Sequence, residues 1–180
     1  MRSFDGSRQQ LPLTLDADVV VVGSGAGGAV AAAVLAEAGH RVVVLEEGRH
    51  VTPQEYGVMT PSQQMRQMWR DAGLTFAIGL GDSPVINVMM GKCVGGSSAL
   101  TGGVLFRTPG AVLHQWRTER GLDAFTEAHM APWFDEVERV VHAEEVPAHL
   151  VSRGHQLFNE GATKLGHPLK PIRRNTHACE

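Results

Sequence analysis

Cysteine is nearly absent from this 180-residue chain, with Cys93 and Cys179 the only two. Two thiols cannot build a disulfide framework, which excludes a disulfide-held secreted scaffold and leaves no demand for an oxidising compartment. Basic excess is also lacking. The formal net charge is −3 and the pI is near 6.3, so nucleic-acid binding has no electrostatic footprint. No run approaches the roughly 20 apolar residues of a membrane span, and the opening MRSFDGSRQQ has no apolar signal-peptide core. These absences set the expectation of a soluble, cytoplasmic chain with no membrane span. What is present is ordinary for a folded domain: 43% hydrophobic and 19% charged residues, enough chain to bury a core, and 21 glycines, a number that fits several close backbone approaches.

The stretch Asp18 to Gly48 organises the rest. Val19 to Val22 is a short β-branched apolar run bounded by Asp18 and Gly23, the pattern of a buried parallel strand. Gly27 to Ala38 is alanine-rich, with Val30, Val34 and Leu35 at helical spacing and Gly39 where a helix C-terminus prefers glycine. Arg41 to Leu45 supplies a second strand, closing a β-α-β unit with a right-handed crossover.

Between the first strand and the helix, Gly23, Gly25 and Gly28 form G-x-G-x-x-G within Gly23-Ser24-Gly25-Ala26-Gly27-Gly28. Gly23 permits the tight turn, Gly25 admits a pyrophosphate to the backbone, and Gly28 lets helix and strand approach closely. The free N–H groups of the helix start then form an anion site without a basic side chain. Glu46 ends the second strand 18 positions after Gly28, near the separation at which an acid accepts from an adenosine ribose. A carboxylate there disfavours a 2′-phosphate, which points to FAD or NAD rather than NADP. Glu47 competes for the ribose role, but Glu46 follows the apolar strand directly. The alternative reading is a glycine turn in an ordinary α/β domain.

The remaining chain divides by composition. Residues 1–17 read as a polar arm, 18–110 as the nucleotide-binding region and 111–180 as a mainly helical extension. His50 to Thr60 is irregular, with Pro53 and Pro61 as breaks. A helix is expected over Ser62 to Asp71, where Met65, Met68, Trp69 and Ala72 make a core face, and Leu74 to Ile78 with Val85 to Met90 form a hairpin or neighbouring strands. Gly91 to Pro109 is a second glycine-rich stretch, in which Gly95-Gly96-Ser97-Ser98 is shaped to open a helix with exposed N–H groups. Such a second cradle suits a long ligand such as FAD. A tightly packed glycine connection explains the stretch equally well. Further helices are expected over Val112 to Arg120, Trp133 to Ala143 and Gly154 to Leu165, and a strand over Leu169 to Arg174. The charges Asp135, Glu136, Glu138, Arg139, Glu144 and Glu145 read as a solvated face. His177-Ala178-Cys179 resembles half a metal site, but no second pair completes it, and no metal site is expected.

Both glycine stretches resemble the glucose-methanol-choline (GMC) family of FAD-dependent oxidoreductases. That family follows its G-x-G-x-x-G with G-[RKN]-x-[LIV]-G-G-S-S-x-[LIVM]-N, which Gly91, Lys92, Val94, Gly95, Gly96, Ser97, Ser98 and Leu100 match. Arg107 stands where the family often has arginine. His114-Gln115-Trp116 and Ala131-Pro132-Trp133-Phe134-Asp135-Glu136-Val137-Glu138 resemble downstream family segments, so the likeness covers roughly residues 16–144. The departures are Thr101 in place of the usual Asn or His contacting the flavin, Leu105 for an aromatic residue and Thr108 for a small one. Leu100 occupies the position of the histidine that some members bond covalently to FAD. The Cys93-Val94 and Phe106-Arg107 pairs look closest to bacterial members similar to long-chain-alcohol oxidases.

The resemblance implies a Rossmann-like α/β FAD-binding unit, incomplete as a domain, that holds FAD noncovalently. The implied cofactor contacts are Gly23, Ser24, Gly25, Ala26, Gly28 and Glu46 from the first stretch, and Gly91, Gly95, Gly96, Ser97, Thr101 and Gly102 from the second. It also implies a small-molecule alcohol as substrate of the longer enzyme, oxidised by hydride transfer to the flavin. The catalytic pair is expected in a C-terminal half that these 180 residues do not contain, so no residue here is nominated as catalytic and the chain alone is expected to be inactive. The other readings are a noncatalytic NAD- or FAD-binding module and an inactive truncated remnant.

Overall fold

A computed structural model describes residues 2–8 and 12–176. The pairing His177-Ala178-Cys179 lies outside the described residues. The chain divides into two compact units, Met1–Thr101 and Gly102–Glu180.

The first unit is built on the expected β-α-β. Strand β1 is Val19–Val22, helix α1 is Ala26–Glu37 and strand β2 is Val42–Leu45. The strands run parallel in the register Val19↔Val42 to Val22↔Leu45. Ahead of this ladder the Asp18 carboxylate accepts from the Arg41 backbone N–H at 2.8 Å and from its guanidinium at 2.7 Å, tying the two strand entries together. These hydrogen bonds hold the Asp18 carboxyl down at about 2. α1 ends because Gly39 takes φ +90°, a conformation that glycine adopts without Cβ strain.

The stretch after β2 is more regular than its prolines suggest. Pro53–Val58 forms α2 and Pro61–Met68 forms α3. Each proline sits in the first helical turn, where its missing N–H costs nothing and its fixed φ favours the helix. Thr52 with Glu55, and Thr60 with Gln63, close reciprocal capping boxes in front of them. Prolines read as breaks are therefore helix starts. The helix expected over Ser62 to Asp71 stops at Met68, because Trp69 turns extended at φ −109° and ψ 142° and bridges to Gly91; Asp71 and Ala72 then turn left-handed at φ 47° and 53°. Phe76–Ile78 (β3) and Val85–Asn87 (β4) pair antiparallel, giving the expected hairpin.

In the second unit Val104–Leu105 (β5), Ala143–Glu145 (β6) and Arg173–Asn175 (β7) form an antiparallel sheet in the order β5-β7-β6. The last strand is shorter and later than the expected Leu169 to Arg174. Three helices complete the unit: α4 (Gly110–Arg120), α5 (Glu127–Val140) and α6 (Arg153–Lys164). α4 ends at Gly121 with φ +65°. α5 starts six residues before the expected Trp133, because the Thr126 hydroxyl caps it and Pro132 is accommodated inside. Trp116 and Phe125 meet edge to face at 5.9 Å, a favoured aromatic geometry. Among the described residues the buried apolar side chains are Met68 and Cys93 in the first unit and Leu113 and Ala143 in the second.

Candidate functional site

The site forms where the turn after β1 meets the loop after β4, both within the first unit. Gly23 takes φ +92° to make the turn. A β-carbon on Gly28 would stand 2.0 Å from the Gly23 carbonyl oxygen and 3.3 Å from a methyl of Val21, so α1 can lie this close to β1 only with glycine there. At Gly25 the opposite holds: φ is −64° and nothing lies within 4 Å of an added β-carbon. Gly25 is also the N-cap of α1 and has no side chain to satisfy the first-turn N–H groups. Side-chain hydroxyls cap α2, α3, α5 and α6. α1 therefore presents Ala26, Gly27 and Gly28 amides and the positive end of its dipole to open space, which suits an anion.

Glu46 sits at the end of β2, as expected, but its carboxylate is already occupied. Oε2 accepts from the Ser24 backbone N–H at 2.9 Å and from the Ser24 hydroxyl at 2.7 Å, and Oε1 accepts from the Gly48 N–H at 2.8 Å. Partial burial pushes its pKa up, and these hydrogen bonds outweigh that, leaving the carboxyl below the usual range. A ribose hydroxyl arriving here would share the carboxylate with Ser24. Glu47, the other acid considered for the sugar, pairs with Arg70.

The second glycine stretch differs from expectation. Gly95-Gly96-Ser97-Ser98 opens no full helix; Gly96–Ala99 is a single 3₁₀ turn. Its leading amides are used internally. Gly96 N–H donates to the Cys93 carbonyl at 2.8 Å, Gly95 N–H to the Ser24 hydroxyl at 3.0 Å, and Gly91 N–H to the Ser97 hydroxyl at 2.9 Å. A β-carbon on Gly91 would fall 2.6 Å from the Gly96 backbone, and one on Gly96 would fall 3.2 Å from the Gly25 Cα. The two glycine loops thus touch backbone to backbone. Of the two readings left open by the sequence, these contacts match the tightly packed connection, and what the second stretch packs against is the first glycine loop.

The structure brings Gly23, Ser24, Gly25, Ala26, Gly28, Glu46, Gly91, Gly95, Gly96 and Ser97 into one region. Thr101 closes the first unit, its hydroxyl 3.4 Å from the Ser98 carbonyl. Gly102 opens the second, where its carbonyl accepts from Arg174 Nε at 3.0 Å. Sequence reasoning missed Gly48. A β-carbon there would lie 2.2 Å from the Cys93 amide nitrogen, and the adjacent Arg49 forms a parallel bridge with Cys93. Its only signal was a glycine immediately after the two acids that end β2. Cys93 is 1% exposed, and burial, with the nearby Glu46 charge, pushes its thiol pKa up, so it serves as packing.

A family model described as GMC oxidoreductase matches residues 17–180. An uncharacterized GMC-type oxidoreductase of Mycobacterium tuberculosis is 39% identical over 168 residues, covering 93% of this chain and 26% of that protein. A long-chain-alcohol oxidase of Arabidopsis thaliana is 30% identical over 178 residues, covering 96% of this chain and 22% of the relative. Those two bacterial and plant relatives put the long-chain-alcohol name on the plant side, not the bacterial side that the sequence suggested. The crystal structure of pyridoxine 4-oxidase from Mesorbium loti superposes with a TM-score of 0.66 at 20% identity, covering 91% of this chain and 37% of that one; at that identity the likeness speaks to fold alone. The chain spans about a quarter of the length of these two curated relatives.

Proposed function

Because this chain belongs to the GMC oxidoreductase family, whose cofactor is FAD, we propose that it is the FAD-binding N-terminal portion of an enzyme that oxidises an alcohol. The observation that carries the reading is the uncapped start of α1 beside an unobstructed Gly25. Gly23, Gly25, Ala26 and Gly28 hold the pyrophosphate through backbone amides and the helix dipole. Glu46 orients the adenosine ribose, and Gly91, Gly95, Gly96 and Ser97 back the cradle. Thr101 is assigned to the flavin side by its place at the end of the second motif, and Gly102 by following it directly. FAD, when bound, supplies the hydride acceptor for carbinol oxidation. The residues of this chain bind and orient it. The proton-abstracting base and the substrate pocket belong to sequence beyond the share of the relatives that this chain spans, and the alcohol class rests on the names of the long-chain-alcohol oxidases among the relatives. The reading is tested by mixing the purified chain with FAD and, separately, with NAD, followed by gel filtration. Visible flavin absorbance travelling with the protein supports it. Retention of NAD in preference to FAD favours the noncatalytic module, and retention of neither removes the cofactor assignment.

A further inference from the structure

The hydroxyl of Ser24 has two partners that its neighbours cannot supply. Glu46, as a carboxylate, can only accept, so the single hydroxyl proton goes to its Oε2 at 2.7 Å. That leaves a lone pair of the same oxygen facing the Gly95 N–H at 3.0 Å. Ser24 stands in the first glycine loop, Glu46 at the end of β2 and Gly95 in the second glycine loop. One oxygen atom therefore joins three segments around the cradle. An independent contact lies one residue further along both loops, where Gly96 approaches the Gly25 Cα so closely that a β-carbon would sit at 3.2 Å. Gly95 and Gly96 both take left-handed φ values of +92° and +59° to present that edge.

We propose that Ser24 is a positioning residue that couples the two glycine loops, fixing the second against the first so that an ADP-ribose-type ligand meets a preassembled cradle. The proposal rests on the FAD reading above only for the identity of that ligand. The serine acts through the Gly95 amide and the Glu46 carboxylate, and the direction of its proton is set by the glutamate charge. Preassembly matters because ordering a loop at the moment of binding would weaken affinity.

The test compares wild type with Ser24→Ala, Ser24→Cys and Ser24→Thr in the whole chain. Cysteine puts a somewhat larger thiol, a weak acceptor, in place of the hydroxyl, whereas threonine keeps the hydroxyl. Two quantities are read: amide hydrogen exchange of the peptide spanning residues 91–99 without ligand, and the Kd for FAD and for ADP by titration. Loss of one hydrogen bond in this setting corresponds to roughly tenfold. The expected result is exchange near Gly95 about tenfold faster, and FAD and ADP binding about tenfold weaker, in Ser24→Ala and Ser24→Cys, with Ser24→Thr close to wild type. Unchanged exchange in Ser24→Cys overturns the coupling, as does faster exchange with unchanged Kd. Should Ser24→Ala and Ser24→Cys both lose their fold, the hydroxyl is a general support and the proposal also falls. If wild type binds neither nucleotide, the FAD reading fails by itself, and the ligand-free exchange still decides whether Ser24 joins the loops.

Discussion

Gly28 lies so close beneath the Gly23 carbonyl that a single added carbon would overlap the oxygen at 2.0 Å, while the same carbon on Gly25 would meet nothing within 4 Å. The two glycines therefore fail differently when replaced. Gly28→Ala is expected to force α1 away from β1 and to cost several kcal/mol, on the order of other core overpacking. Gly25→Val is expected to fold, since its backbone is ordinary, and to fill the space where the pyrophosphate goes. Circular dichroism with a flavin titration separates the two: native ellipticity without FAD binding for Gly25→Val, loss of both for Gly28→Ala. A Gly25→Val protein that stays yellow contradicts the assigned cradle.

Glu46 ties stability to acid. Its folded pKa lies below the usual value because hydrogen bonds from Ser24 and Gly48 outweigh burial. A depressed carboxyl stabilises fully above its unfolded value, near 4.3, and that contribution fades as pH falls through the folded value. Glu46→Gln is expected to be less stable than wild type by about 1 to 3 kcal/mol at pH 7. In urea melts the gap should narrow steadily below about pH 4.3. A gap independent of pH would show that the charge is immaterial.

A second acid-sensitive network belongs to the other unit. Glu138 accepts from Arg107 Nε at 2.8 Å and pairs with Arg173, while Arg107 also reaches Asp135 at 2.6 Å. The Glu138 side chain is only 16% exposed, so the face expected to be solvated contains one half-buried member. The Arg107 guanidinium first, and then Arg173, hold Glu138 down at about 2. Glu138→Gln is expected to lower the urea midpoint at neutral pH, with the deficit disappearing as the solution is acidified from the ordinary glutamate range toward pH 2. Added salt should weaken the effect only partly, because Glu138 is shielded.

The parallel pair β1–β2 leaves Val20 at 55%, Val22 at 82% and Leu45 at 53% exposure. Their register places them on one face, since Val22 pairs with Leu45, and parallel strands are normally covered on both faces. Val22→Thr is expected to change stability by no more than about 0.5 kcal/mol. It should reduce hydrophobic-dye binding and self-association of the isolated chain, as measured by fluorescence and light scattering. Unchanged dye binding would mean that the face is not sticky in solution.

Sequence patterning located β1, α1 and β2 to within a residue, because β-branched runs, alanine and a terminal glycine all act locally. It also placed Glu46 at the end of β2, directly after Leu45. It mistook Pro53 and Pro61 for interruptions, since a proline at a helix start and one at a helix end look alike until Thr52-Glu55 and Thr60-Gln63 are weighed as capping pairs. The left-handed turn at Asp71 had only the weak signal that Asp tolerates positive φ, and Ala72 had none. Ser24 could be nominated as a member of the cradle, but its bond to Gly95 depends on tertiary packing that no local pattern encodes, and the same holds for Gly48 against Cys93.

Ser24 and Gly95 are separated by 71 positions along the chain. Closing so long a loop costs entropy before any contact rewards it, and contacts of this kind are slow to form. The β-α-β unit can assemble over a shorter span of chain, so during synthesis or refolding the nucleotide mouth should mature last, well after the strands beneath it are paired.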